Sequence, residues 1–191
     1  MCGSELQSIK GIKAVLPEAE GGFINRDSLG DRSKAEPVAF HINHADMPVV
    51  QAPGGSVRVV AGSFDGQSSP ITQDARWLTK VNMLDITLQP GASVNIPVKA
   101  GDNAFFILYS GSFRALAQEN NARAAIIFEA DGTVAQVQAG SQTLRGVFFS
   151  GTPINEPMFP KGPFMGNTAH DVAEYAARFQ RGDMGALSKS F

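Results

Sequence analysis

The sequence predicts an all-β fold: short strands in two packed sheets, closed at the C-terminal end by one amphipathic helix. Three observations predict it. The 191 residues include 20 glycines, 11 prolines and 13 phenylalanines, a composition of many strands joined by turns rather than of a helical bundle. Apolar residues recur with period two at Leu84, Ile86 and Leu88 and again at Val94, Ile96 and Val98, which marks half-buried strands. Between Ala104 and Tyr109 the run AFFILY is apolar on both faces, as a strand in the centre of a double sheet must be.

Taken in chain order, residues 1–50 are broken by Gly21, Gly22, Gly30, Pro37 and Pro48, so irregular structure with one or two strands is expected there. VRVVAG at 57–62 follows the turn signal Pro53-Gly54-Gly55 and is expected to open the barrel. Pro90-Gly91 reads as a turn joining 84–88 to 94–98 in a hairpin. SFDGQSS at 63–69 is glycine-interrupted but lacks the Gly-Lys-Ser/Thr ending of a phosphate loop, and reads as a turn. Further strands are expected at 113–117, 124–129, 133–137 and 144–149, with Asp131-Gly132 as a turn between two of them. From Asn167 the period changes. Val172, Tyr175, Ala176 and Phe179 form a helical stripe, with Asn167 or Thr168 as cap, Asp171 in the first turn and Gly182 as the close. This helix is expected to dock on the barrel.

Composition excludes several function classes. At 43% hydrophobic residues the chain suffices for one well-buried core, with extensions. A formal net charge of −2 offers no general attraction to nucleic acid. No apolar stretch approaches the roughly 20 residues of a membrane helix. The single cysteine, Cys2, cannot form an intramolecular disulfide, and no signal-peptide-like apolar run follows Met1, so a reducing cytoplasmic setting is expected.

Two segments carry a glycine scaffold. PGASVNIPVKAGDNAFFILYSG at 90–111 and GTVAQVQAGSQTLRGV at 132–147 resemble the two motifs of the cupins, whose fold is a jelly roll, the double-stranded β-helix. Gly91, Gly111, Gly132 and Gly140 fit. On this overlay the histidine slots of the first motif hold Pro97 and Lys99, its glutamate slot Asn103 or Ala104, and the histidine slot of the second motif Thr143. Proline, alanine and an ammonium cannot replace imidazole and carboxylate donors, so the resemblance implies a cupin barrel without its metal and no resident cofactor.

SVRVVAGSFDGQSSPI at 56–71 and GTPINEPMFPKGPFMGNT at 151–168 are similar to the inter-barrel segment and the ending of the pirins. That family pairs an iron-binding N-terminal barrel with a metal-free C-terminal one. The resemblance covers roughly residues 48–187, so residues 1–47 are expected to be an extension and 48–191 a pirin C-terminal-like cupin domain. The iron barrel's His-x-His pair is absent among His41, His44 and His170. The resemblance therefore implies a non-catalytic binding or scaffold module; the alternative is a quercetin 2,3-dioxygenase-like oxygenase whose iron comes from the N-terminal segment or a partner chain.

Candidate residues follow. His41, His44 and Asp46 have donor types a metal accepts, but in an extended segment His41 and His44 point to opposite faces; surface imidazoles are the plainer expectation. Lys99, with Asn103 and Thr143, is the candidate for a small ligand at the barrel mouth, its ammonium paired with Asp102 or Glu129 or holding a ligand carboxylate. The plainer expectation is a solvated loop lysine. Tyr109, with the phenylalanines, could line a flavonoid-sized pocket, although core packing explains them more simply. Trp77 is expected to cover a barrel edge, and Glu156 to cap a turn or pair with an arginine. A lone second barrel exposes the face its partner would cover, and residues 1–50 or a second copy of the chain are expected to cover it, a homodimer being the plainer expectation, with another partner protein as the alternative.

Overall fold

The computed structural model describes residues 22–23 and 40–183, apart from positions 76, 78, 79, 116, 117, 122, 123 and 154. A short pair, β1 (Gly22–Phe23) and β2 (Phe40–His41), precedes a 3-10 turn at His44–Asp46. The chain then forms β3 (Val49–Ala52), β4 (Gly55–Ala61), β5 (Ser63–Phe64), β6 (Gln67–Ser68) and a single helical turn, α1 (Pro70–Gln73). The body follows as β7 (Val81–Leu88), β8 (Ser93–Pro97), β9 (Asn103–Ser110), β10 (Ser112–Ala115), β11 (Gln118–Asn121), β12 (Ala124–Phe128), β13 (Val134–Gln138) and β14 (Leu144–Gly151). A last hairpin, β15 (Phe159–Lys161) with β16 (Phe164–Gly166), leads to α2 (Ala169–Gln180).

One antiparallel sheet runs in the order β12-β9-β14-β7-β4-β3. Facing it are the pairs β13-β8 and β10-β11, linked by a bridge between Phe113 and Ala139. Strand alternation sends one set of side chains into the space between the layers: Val57 and Val59, Leu84, Ile86 and Leu88, Phe106 and Leu108, and Phe148 from the large sheet, against Val94, Ile96, Ala135 and Val137. Each large side chain so buried contributes about 1.5–3 kcal/mol. The result is the all-β, double-stranded β-helix with a C-terminal helix that the sequence predicts. AFFILY, within β9, is indeed central: Ala104, Phe106 and Leu108 face the core, while Phe105 stacks on Phe149 at 4.8 Å outside it.

Two expectations are corrected. β7 and β8 do not pair as a hairpin; β7 lies between β14 and β4, and β8 pairs with β13 in the opposite layer. Both strands bury one face in the same core, so their period-two patterns look alike whether the turn between them folds back or crosses. Here it crosses: Gln89 N donates to Gly54 O on one layer, while Ala139 N on the other donates to Ala92 O. Of the two expected caps Thr168 is the one used, and it forms a reciprocal box, Thr168 Oγ1 accepting from Asp171 N and Asp171 accepting from Thr168 N. Its main packing is on β16 and β15 rather than on the barrel sheets. Of its stripe Val172 is buried, whereas Phe179 is 65% exposed with its ring edge-on to Phe164.

Glu119 ties the β10-β11 hairpin to the loop at 140–142. Hydrogen bonds from the hydroxyls of Ser112 and Ser141 and from Ser141 N hold its carboxyl well below the ordinary range, at about 2, with Arg114 adding to the effect. A depressed folded-state value means that the unfolded chain binds the proton more readily. The stabilisation is therefore complete above about 4.5 and is lost as pH falls towards 2. In urea titrations Glu119→Gln should be less stable than the parent at neutral pH, and that difference should narrow in acid; an equal difference at both would show that the carboxylate charge is immaterial.

Candidate functional site

At one end of the barrel interior β8 finishes and β9 starts. Side chains reaching inward there are Ile96, Val98, Ala104 and Ala135, with Ile96 and Ala135 directly opposite in the β8-β13 register. None carries a nitrogen or carboxylate donor, and a transition ion needs several. These inward residues do not fit iron. Among the described residues no three or more His, Cys, Asp and Glu side chains gather in a way that could hold a metal.

The sequence overlay selects other positions, and strand direction explains the difference. Pro97 and Lys99 are exposed and alternate with the inward Ile96 and Val98, so the two histidine slots fall on the outward phase. Asn103 is half-buried at the start of β9, whereas Ala104 faces the core. Thr143 is exposed just before β14, whose Arg145 pairs with Ser110 at the far end of β9. Tyr109 lies at that far end, about 20 Å along the strand from Asn103. Lys99 and Asn103 thus sit at one end of the barrel and Tyr109 and Thr143 at the other. They do not form one site.

Each has its own setting. Lys99 closes a turn in which its carbonyl accepts from Asp102 N at 2.9 Å, while the Asp102 carboxylate takes the hydroxyl of Thr152 at 2.7 Å. Tyr109 is on the outer face of the large sheet and donates to Asp85 Oδ1 at 2.7 Å. Burial first, and then Asp85, pushes its phenol up to about 12, against a lowering by Arg145. His44 and Asp46 are exposed in the 3-10 turn, where Asn43 Nδ2 donates to Asp46. The side chain of His41 is outside the described residues. Glu156 accepts from Asn167 Nδ2 and so ties the loop after β14 to the start of α2, the partner being an amide rather than an arginine. Trp77 stands edge-on to Phe40 with ring centres 5.3 Å apart, in a small cluster with Ala61, Ile71 and Met83 outside the main core.

A cleft of about 520 Å³ lies at the Asn103 end, lined by Gly62, Ser63, Ser68, Thr72, Trp77, Lys80, Val81, Asn82, Asp102 and Ser150. Its wall is the segment from β5 through α1. Asp65 and Gly66 both have positive φ, the tight-hairpin conformation that sets β5 against β6. Gly62 N donates to Thr72 Oγ1 at 2.6 Å and Ser63 N to Asn82 Oδ1 at 3.0 Å. Buried Ser69 donates to Val60 O at 2.7 Å. Sequence reasoning saw only a turn at 63–69 and missed the cleft. The one available signal was the density of small polar residues there.

Comparison with known proteins places this architecture. Residues 83–185 match the profile of the pirin C-terminal cupin domain. Pirin-like protein 2 of Arabidopsis thaliana is 34% identical over 174 residues, covering 84% of this chain and 52% of the relative. A Pseudomonas aeruginosa protein named as a candidate quercetin 2,3-dioxygenase is 27% identical over 183 residues, covering 90% of this chain and 63% of that one. A crystal structure of quercetin 2,3-dioxygenase from Acinetobacter baumannii superposes with a TM-score of 0.73 at 21% identity, over 83% of this chain and 55% of that one, a likeness of fold. The chain spans about half the length of the plant relatives it matches. No helix among the described residues is long and apolar enough to cross a membrane. Profile, relatives and fold agree that the chain belongs to the pirin family, through that family's C-terminal cupin domain.

Proposed function

We propose that this pirin-family chain is a non-catalytic binding or scaffold module. The observation that carries the proposal is the donor set of the barrel: Ile96, Val98, Ala104 and Ala135, which reach inward where β8 finishes and β9 starts, offer a metal neither imidazole nor carboxylate. The names of relatives favour a second reading, an oxygenase acting on quercetin, which needs iron from the N-terminal segment or from a partner chain. Oxygen uptake with quercetin and added ferrous iron, together with elemental analysis of tag-free protein, separates the two. The expected result is no turnover above an iron-only blank and no stoichiometric metal; turnover that tracks bound iron would overturn the proposal.

A second copy of the chain is proposed to cover the outer face of the large sheet. Ile127, Tyr109 and Val49, exposed by 49%, 44% and 41%, lie on that face from one edge to the other. Between Tyr109 and Val49 the same face carries Asp85 and Arg58, so the surface offered to a second copy is a mixed one of apolar and charged side chains. Light scattering at micromolar concentration should give the mass of a dimer, and a monomer mass would count against this arrangement.

A further inference from the structure

The cleft beside β5, α1 and the start of β7 offers a set of groups that the barrel interior does not. We propose that it binds a small polyhydroxylated carboxylate of the sugar-acid class, which deepens the binding-module reading and rests on it. The argument is one of donor and acceptor direction. Asn82 has its amide oxygen occupied by a backbone N–H, so the amide nitrogen remains to donate. Thr72 already accepts a backbone N–H at its hydroxyl oxygen, which leaves its proton for a ligand. Ser150, only 3% exposed, lines the cleft from the end of β14.

These donors call for a ligand rich in oxygen acceptors. Lys80, the cation lining the cleft, selects a negative charge on it. Asp102 has one carboxylate oxygen engaged by Thr152, and the other can accept a ligand hydroxyl. Trp77 adds a broad apolar surface of the kind on which a sugar ring rests. At about 520 Å³ the space is in the range of small-molecule sites and holds a ring with its carboxylate. A neutral polyol would bring Lys80 no charge beyond that of Asp102 in the same cleft, and a simple carboxylate would bring no hydroxyl for Asp102 to accept.

The chain has a single tryptophan, so its fluorescence reports on this cleft. Titration of the full chain with D-glucuronate should give a saturable change at millimolar concentrations, with D-glucose and acetate each giving a weaker one. Lys80→Ala should weaken glucuronate binding about tenfold, and Asp102→Ala, which removes the acceptor for the ligand hydroxyl, should lower the preference for glucuronate over acetate. Lys80 is exposed, so its removal does not threaten folding. No saturable response to glucuronate, equal responses to glucose or acetate, or an affinity indifferent to Lys80→Ala would overturn the proposal. Such a failure leaves the iron and oxygen experiment untouched, because no cleft residue takes part in it.

Discussion

Phe106→Ala is expected to remove about 3–5 kcal/mol of stability, a large share of the roughly 5–15 kcal/mol typical of a domain. The ring is completely buried in the middle of β9, stacks on Phe113 with centres 5.7 Å apart, and therefore joins the large sheet to the β10-β11 layer. Its other side lies over Gly146, where a Cβ would fall 2.2 Å from the Phe106 ring. The opposing strand has given up a side chain to make this room, and the β14-β9 register shifts at the same point, between Arg145 and Gly146. Alanine at 106 thus empties space that residue 146 cannot refill. Thermal melts should show a fall of about 10 °C or more. Ile127→Ala, on the outer face and 49% exposed, should cost far less. Equal losses for the two would mean that the ring does not bridge the layers as described.

The second large effect is expected at Gly62, where Gly62→Ala should disturb both stability and the cleft. Its φ of +80° is a conformation L residues avoid, and an added Cβ would lie 1.8 Å from Asn82 Oδ1. The backbone strain alone costs about 1–3 kcal/mol, and relieving the overlap must displace the Asn82 amide from Ser63 N. Gly66→Ala is the matched control. It has a φ of +76° with nothing within 4 Å of the new carbon, so it carries the strain without the overlap. Gly62→Ala should be the less stable in urea and should lose the fluorescence response to glucuronate, whereas Gly66→Ala should keep that response. If the two behave alike, Asn82 is not held by this contact.

How much of this was legible in the residues differs between fold and site. The strands were readable because alternation at 84–88 and 94–98, and the double apolar face of AFFILY, express burial directly in sequence. The helix start was equally plain, since Thr168 and Asp171 satisfy each other's backbone within three residues. Motif glycines were less reliable guides. They count residues along the chain, yet a slip of one position in a strand exchanges the inner face for the outer, which is why Lys99 fell in a histidine slot and lies in solvent.

Fold class, family resemblance and the lack of a His-x-His donor pair could all be read from the residues alone, because each depends on local pattern or on residue type. It took the folded chain to show that β7 and β8 belong to opposite layers, that Thr143 and Asn103 sit at opposite ends of the barrel, and that Asn82, Asp102 and Ser150 line one cleft with Ser63 and Ser68 of the preceding turn. Which strand pairs with which is set by long-range burial and closure entropy, and neither leaves a mark at fixed sequence spacing.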